Sequence, residues 1–366
     1  MKKKLNVLLL FGGQSAEHEV SIMSARNVVG AIDQEEYQVV LVYITRKGVW
    51  HHVEDVEGFL GHTDREELAS GEAVFIVPSN EGARLVATCD CSRLASLDLA
   101  YPVLHGPYGE DGTVQGLFKL LDLPFVGAGV TGSAVGIDKD VMNRLLHDGG
   151  IPIPAFLVFS QESQGDIAFD AVSEQLGKPL FVKPANMGSS VGISMVEDRE
   201  AFEDAVEDAF RFDRKVIIEE CVRGREIECS VLGNEDPVAS LPGEILPNHQ
   251  FYSYDAKYVD DRGADLLIPA DLDETAIQKV QELAVRTFTL LCCEGLARVD
   301  FFIREGGEVL VNEINTLPGF TNISMYPKLW EASGMSQREL VSRLIGLALD
   351  RYEKEVGLKR ERGDGT

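Results

Sequence analysis

Ten residues, Lys183 to Gly192, narrow the possible folds of this chain more than any others: Lys-Pro-Ala-Asn-Met-Gly-Ser-Ser-Val-Gly. The apolar run 179–182 before them reads as a strand, and 193–196 after them reads as another. A lysine and a Gly/Ser loop between two strands describe a flexible flap rather than a helix cap. Gly188 and Gly192 let backbone N–H groups turn toward an anion, and Ser189 and Ser190 add hydroxyl donors. Lys183 places a compact positive charge where the loop begins, as a phosphate site needs. Alone, the loop would also suit an ordinary Gly–Ser hairpin.

Two other phosphate motifs are excluded. No Gly-x-x-x-x-Gly-Lys-Ser/Thr segment occurs, so this is not a P-loop. Gly127-Ala128-Gly129-Val130-Thr131-Gly132 matches the dinucleotide pattern. However, the segment about 20 residues on holds Gly149-Gly150-Ile151-Pro152, with no acid ending a second strand. These glycines read as a tight strand-to-helix turn, not as an NAD site.

The length of 366 residues allows two or three domains with proper cores. The start, Met1 to Phe11, imitates a signal peptide, but its apolar run is short and meets no convincing cleavage site, so a buried first strand is expected. No apolar run approaches membrane-spanning length. Six cysteines (89, 91, 221, 229, 292 and 293) form no Cys-x-x-Cys pair, which argues against zinc or a disulfide framework and suits a reducing cytoplasm. A net charge of −26 disfavours nucleic acid and anionic membrane surfaces as partners. Any anionic substrate must then be held by a few local cations, which singles out Lys139, Lys183 and Lys257 in their glycine-rich or polar segments.

Residues 6–11 and 38–44 read as strands around a helix at about 20–31. Val103-Leu104 ends a further strand, followed by the loop 105–112, a helix at 114–121 and a strand at 124–126. This alternation predicts an open α/β sheet with functional loops at strand C-termini. From about 152 the pattern becomes α+β, with a helix at 198–210 and a strand at 215–219. Strands near 228–232, 297–303 and 308–314, with helices near 272–291 and 336–353, predict a mixed third domain.

Residues 297–315 allow a geometric inference. Arg298 and Asp300 share one strand face; Val309, Val311, Glu313 and Asn315 share a face of the next run. Glu305-Gly306-Gly307-Glu308 signals a two-residue hairpin. Counting back from that turn sets Asp300 opposite Glu313 and Arg298 opposite Asn315. Carboxylates directly across a ladder, with Cβ atoms about 5 Å apart, repel unless neutralised. A hard cation held by Asp300, Glu313 and the Asn315 amide would do so, and these oxygen ligands suit Mg²⁺ shared with a phosphate. A solvated acidic strand face is the plainer reading of the same residues.

Six blocks then combine: 11–21 (Phe-Gly-Gly-Gln-Ser-Ala-Glu-His-Glu-Val-Ser), 105–112 (His-Gly-Pro-Tyr-Gly-Glu-Asp-Gly), 183–192, 254–258 (Tyr-Asp-Ala-Lys-Tyr), 297–300 (Ala-Arg-Val-Asp) and 312–321 (Asn-Glu-Ile-Asn-Thr-Leu-Pro-Gly-Phe-Thr). In this order they resemble the D-alanine–D-alanine ligase family of the ATP-grasp superfamily, essentially from end to end. The resemblance implies an α/β fold of three-domain ATP-grasp architecture. Residues 1–127 would form an N-terminal open α/β substrate domain. Residues 128–224 would form the central domain with the phosphate flap, and 225–366 the C-terminal domain with the metal and oxyanion site. It implies ATP-dependent ligation of two D-alanines to D-alanyl-D-alanine for peptidoglycan precursor synthesis, through a D-alanyl phosphate intermediate.

Carried over by motif, Lys139 and Lys183 contact the α- and β-phosphates and Lys257 the phosphates nearer the transfer, under the Ser189–Ser190 flap. Glu219 and Glu226 accept hydrogen bonds from the adenine amino group and the ribose, with the Val222 backbone on adenine; the family often has a lysine where this chain has Glu220. Asp300, Glu313 and Asn315 match the ligands of two magnesium ions, for which manganese can substitute. Arg298 and the Gly319 N–H match the oxyanion donors. Glu17 holds the first substrate's ammonium and is linked to Ser189 and Tyr258. His105 lies near the first substrate, while Ser324 and the Met325 backbone hold the second carboxylate. A cytoplasmic homodimer is also implied. A D-alanine–D-lactate or D-alanine–D-serine ligase is the nearest alternative, and a nucleotide-binding regulator is the non-enzymatic one. Tyr258 points to the D-alanine-selective form.

Overall fold

The computed structural model describes residues 4–61, 64–80, 82–189, 191–247 and 264–359. Its apolar start is strand β1 (Leu5–Gly12), in which Val7 to Phe11 make no contact with solvent. Val7, Leu9 and Phe11 enter one core while Leu8 and Leu10 enter another, as expected of a parallel strand covered on both faces. Helix α1 (His18–Ala31) covers the first core, and β2 (Tyr37–Ile44) pairs parallel with β1. At the edge, β3 (Trp50–Val53) runs antiparallel to β2. Two short helices, α2 (Val56–Leu60) and α3 (Arg65–Leu68), lead to an antiparallel meander of β4 (Val74–Ser79), β5 (Gly82–Ala87) and β6 (Arg93–Leu97). Sequence periodicity gives no sign of this meander. Strand β7 (Leu99–Val103) then returns beside β1, giving the order β3-β2-β1-β7. The loop 105–112 therefore leaves the C-terminal edge of that sheet, where open α/β folds place functional loops.

Helix α4 (Thr113–Leu120) follows. The strand expected at 124–126 is reduced to one bridge between Phe125 and Ala100. The glycine-rich turn leads into α5 (Val130–Ile137), where Gly132 packs so closely that an added Cβ would lie 2.5 Å from the Cys292 carbonyl oxygen. Packing against the chain accounts for this glycine. Helix α6 (Lys139–Asp148) begins at once, capped by Asp138, which accepts from the N–H groups of Asp140 and Val141.

The second sheet is wholly antiparallel, in the order β10-β9-β11-β8. It consists of β8 (Phe156–Ser160), β9 (Leu180–Pro184), β10 (Ser194–Val196) and β11 (Lys215–Glu220). Helices α7 (Phe169–Leu176) and α8 (Arg199–Phe212) cover one face. Phe202, Ala205, Val206, Ala209 and Phe210 form the apolar stripe of α8 and pack on Leu180, Val182, Val216 and Ile218. The other face is left for Lys183 and Glu219.

The third sheet contains β12 (Gly224–Gly233), β13 (Val238–Ala239), β14 (Gly243–Pro247), β15 (Ala264–Leu267), β16 (Gly295–Arg304) and β17 (Val309–Asn315). Its order is β15-β14-β12-β16-β17, with β13 beside β12. Helix α9 (Glu274–Leu290) packs Val280, Leu283, Ala284 and Phe288 on Ile227, Cys229, Val231, Ala297, Val299 and Phe301. Met142 and Leu146 of α6 enter the same core. Helices α10 (Met325–Ala332) and α11 (Gln337–Val356) follow and share the core of the first sheet through Tyr326, Trp330, Leu344 and Ile345. All six cysteines are free thiols.

The β16–β17 hairpin corrects two details of the sequence reading that cancel. Arg298 does pair with Asn315 and Asp300 with Glu313, but from Phe301 onward the partners shift by one, Phe301 with Val311 and Ile303 with Val309. The turn holds three residues, 305–307. Arg304 N–H donates to Glu308 (3.0 Å), and Gly307 N–H donates back to Arg304 (2.8 Å). Only Gly307 of the pair has positive φ (82°), whereas a two-residue type I′ turn needs it at both positions. Asn312 is the extra residue, a β-bulge that restores the register. The faces are corrected too: Val309, Val311 and Ile314 enter the core, while Glu313 and Asn315 stand on the opposite face with Arg298 and Asp300. Burial of the two valines imposes the bulge, because without it they would share the acidic face.

Candidate active site

The polar face of the third sheet carries the densest charge. Glu228, Asp300 and Glu313 pair in one row across β12, β16 and β17, and Ser230, Arg298 and Asn315 form the next. Arg298 grips Asp300 with both ends of one edge, Nε to Oδ1 and Nη2 to Oδ2, each at 2.7 Å. The same Nε lies 2.9 Å from Glu228 Oε2. Asn315 Nδ2 donates to Asp300 Oδ2 at 3.0 Å. Bidentate charge-assisted contacts of this kind fix the planes of both groups.

From the second sheet comes Lys183, buried and donating to Glu219 Oε2 at 2.6 Å. The two are diagonal neighbours on one sheet face, since Lys183 pairs with Ile217 and Phe181 with Glu219. Burial alone would lower the ammonium's pKa, but the Glu219 charge and hydrogen bond outweigh it, helped by Glu313 and Glu226, so the net shift is upward. Lys183 thus stays charged and feels carboxylates of both sheets. Lys139, at the start of α6, joins them: its Nζ donates to the Met187 carbonyl in the flap (2.9 Å) and lies 3.4 Å from Glu313 Oε2. The flap is anchored at its root, where Asp213 Oδ2 accepts from the Asn186 N–H (2.7 Å) and Nδ2 (2.9 Å). Ser189 sits at φ 53°, a left-handed conformation rare outside glycine.

A third group clamps the loop that carries Gly319. His105 Nδ1 lies 2.9 Å from the Leu317 carbonyl. That oxygen can only accept, so Nδ1 bears the proton and Nε2 faces Ser24 Oγ, 3.3 Å away, as acceptor. Ser24 Oγ in turn accepts the Phe320 N–H at 3.0 Å. Burial holds the His105 pKa below its ordinary value, consistent with a neutral ring. Glu110 closes the other side, accepting from Gly106 N–H (2.7 Å) and Leu317 N–H (3.0 Å). Burial and then the nearby Glu17 charge push its carboxyl up to about 8, against those N–H donors and Arg298. Glu17, at the N-terminus of α1, lies between this loop and the flap: its Oε2 would be 3.3 Å from a Cβ on Gly106 and 3.5 Å from one on Gly188. Ser324 Oγ accepts the Thr321 N–H (2.9 Å) and sits 2.8 Å from where a Cβ on Gly319 would be, so a side chain there would displace that hydroxyl. Met325 starts α10 and is buried.

The expected residues therefore converge from five places: α1 and the 105–112 loop, the start of α6, the flap sheet, the acidic hairpin, and the loop 316–325. Val222 and Glu226 lie where β11 passes into β12, and Glu220 pairs with Arg304 (2.8 Å). Ser190, Lys257 and Tyr258 lie outside the described residues. Sequence reasoning missed Glu228 and Glu110. Glu228 is signalled by the alternation of Glu226, Glu228 and Ser230 with Ile227, Cys229 and Val231, and Glu110 stands inside a block already singled out. The donors Asp300, Glu313 and Asn315 are hard oxygens on one face and fit a hard divalent cation. Among the described residues no group of three His, Cys, Asp or Glu side chains is drawn together into a metal site. Here Arg298 balances the charge of Asp300.

Lysines on an antiparallel flap sheet, set against a carboxylate row on a second antiparallel sheet, define an ATP-grasp fold. Models of the D-ala D-ala ligase N-terminus and C-terminus match residues 6–128 and 145–346. A D-alanine–D-alanine ligase from Oceanobacillus iheyensis is 49% identical, with 100% of each chain covered. The solved D-alanine–D-alanine ligase of Coxiella burnetii is 40% identical, with a TM-score of 0.87 and 96% of each chain covered. The VanG D-Ala:D-Ser ligase of Enterococcus faecalis is 34% identical, with a TM-score of 0.84 over 94% of this chain and 100% of its own. The chain belongs to the D-alanine–D-alanine ligase family and is an enzyme of the ligase class. No helix among the described residues is long and apolar enough to cross a membrane.

Proposed function

We propose that this chain joins two D-alanines to D-alanyl-D-alanine at the expense of ATP, in the synthesis of peptidoglycan precursor. The observation that carries the reading is the convergence of Arg298, Asp300, Glu313 and Asn315 with Lys139, Lys183 and the Gly319 loop. Lys139 and Lys183, with Lys257 and Ser190, cradle the phosphates. Glu219 and Glu226 receive the adenine amino group and ribose beside the Val222 backbone. Binding of nucleotide gives Lys183 a phosphate in addition to Glu219.

Glu17 holds the ammonium of the first D-alanine and, through Ser189 and Tyr258, ties the flap over it to exclude water from the acyl phosphate. The first carboxylate attacks the γ-phosphate, forming a C–O–P link and releasing ADP. The second amine then attacks that carbonyl carbon, and phosphate leaves with the bonding pair of the broken C–O bond. Arg298 and the Gly319 N–H, held by the His105–Ser24 and Glu110 contacts, donate to the oxyanion of the tetrahedral state. Ser324 and the Met325 backbone hold the second carboxylate. Asp300, Glu313 and Asn315 would hold two Mg²⁺ ions, replaceable by Mn²⁺, which supply charge neutralisation at the transferring phosphate.

The three-lobed division at about 127 and 224, a homodimer and a cytoplasmic location belong to the same proposal. Likeness to the VanG ligase favours D-serine as the second reading for the second substrate. The test is chromatography of the product formed from ATP with D-alanine, D-serine and D-lactate together, near neutral pH. D-Alanyl-D-alanine is expected to predominate. A predominant D-alanyl-D-serine or D-alanyl-D-lactate would overturn the assignment, and nucleotide binding without D-alanine-dependent phosphate release would indicate a regulator.

A further inference from the structure

We propose that Glu228 is a positioning residue for Arg298. It keeps hold of the guanidinium when Asp300 turns toward a divalent cation, so that Arg298 remains aimed at the reacting carboxyl. The inference rests on the metal and oxyanion roles proposed above.

The geometry poses a conflict that needs such a residue. Both oxygens of Asp300 are engaged by one edge of Arg298, at 2.7 Å each. A cation shared with Glu313 and Asn315 needs those same oxygens. Its arrival loosens Arg298 at the moment the guanidinium must be steady. Glu228 stands on the neighbouring strand directly opposite Asp300, with its side chain only 8% exposed, and its Oε2 lies 2.9 Å from the same Nε. The Nε that donates to Asp300 thus also forms an ion pair with Glu228. As the contact with Asp300 weakens, a small turn of the guanidinium brings its N–H onto Glu228, already at ion-pair distance. A buried carboxylate is costly unless paired, and a β-strand places Glu228 with little freedom, so it suits a fixed second anchor. Glu228 also adds a negative charge to the row that a dication completes.

Glu228→Gln keeps the size of the side chain and removes its charge. Two readouts apply: Mn²⁺ binding with ADP by electron paramagnetic resonance, and steady-state kinetics. The variant is expected to bind Mn²⁺ about five- to tenfold more weakly, because Arg298 now holds Asp300 more firmly. Its kcat should fall about tenfold, less than loss of an oxyanion donor itself, with the KM for ATP within about twofold. On an Arg298→Gln background the same change should add less than about twofold to kcat, since the group it positions is gone. Unchanged Mn²⁺ binding and kcat would overturn the proposal, as would an undiminished effect on the Arg298→Gln background, which would mean that Glu228 acts through its own field. Should Glu228→Gln not fold, Glu228→Asp, which withdraws the charge by one methylene, is read the same way, and parental values overturn the proposal. Asp300→Asn separates the two levels: parental Mn²⁺ binding there would remove the metal assignment itself, whatever Glu228 does.

Discussion

The flap and the acidic hairpin serve the same space with opposite mechanical characters. In the hairpin the inward polar groups are fixed by strand pairing and by short contacts to their neighbours. Arg298, Asp300 and Asn315 form a closed set at 2.7–3.0 Å, backed by the core of Val299, Phe301, Val311 and Ile314. The flap is tied at its root by Asn186 on Asp213 and Lys139 on Met187, and farther along it Ser189 takes a left-handed conformation. Groups that stabilise a transition state must be in place beforehand, whereas groups that admit and cover a nucleotide must yield. Substitutions in the hairpin should therefore act on kcat, and those in the flap on KM.

The largest expected break comes from Asp300→Asn. Phosphate release with D-alanine should fall by about 10³-fold or more, while the metal-free melting temperature moves little because Glu228 still holds Arg298. A strongly destabilised metal-free protein would show instead that the Arg298–Asp300 pair serves the fold first. Lys183→Met comes next: ATP affinity should weaken by about 1.5–3 kcal/mol, read as a raised KM, with kcat less affected. Stability should also fall, since Glu219 is left buried beside an uncharged side chain. An effect confined to kcat would abolish the contrast between the two regions.

The smallest effect sharpens the boundary of the rigid region. The Glu110 carboxyl, pushed up to about 8 by burial, holds its proton in the folded state over a range where the unfolded chain has released it. From the unfolded value of about 4.3 upward the folded state binds more protons, so stability falls as pH rises and the effect is complete once pH passes the folded value. Glu110→Gln should flatten the decline in melting temperature between about pH 5 and pH 9. An unchanged slope would mean that Glu110 is ionised across that range and that Leu317 N–H is bound there to a carboxylate.

Local patterns were legible and remote ones were not. The alternation at 297–303 and the apolar stripe of α8 each lie within one element, and the double glycine at 306–307 in the turn between two, and these elements follow from them. Pairing of Asp300 with Glu313 was also legible, although through a turn one residue too short and without the bulge. The Glu228–Asp300 neighbourhood depends on how β12 meets β16, which no turn sets. The clamp from His105 to Leu317 spans 212 positions and exists only because the first sheet and the Gly319 loop share a core. The strands of the meander 74–97 are short and carry no sharp period, and its pairing rather than its composition makes it a sheet.

The bulge at Asn312 has a consequence for how this hairpin tolerates edits. Losing one residue from a β-hairpin ordinarily turns every side chain beyond it to the wrong face. Here Asn312 is already outside the ladder, so its removal would leave each partner where it is, Asp300 still across from Glu313 and Arg298 still across from Asn315. Only the local kink and its twist would go. The chain thus contains a spot where length itself is an adjustable quantity: the aim of Glu313 and Asn315 can be retuned by omitting a single amino acid, with no change to any of the side chains assigned to the site.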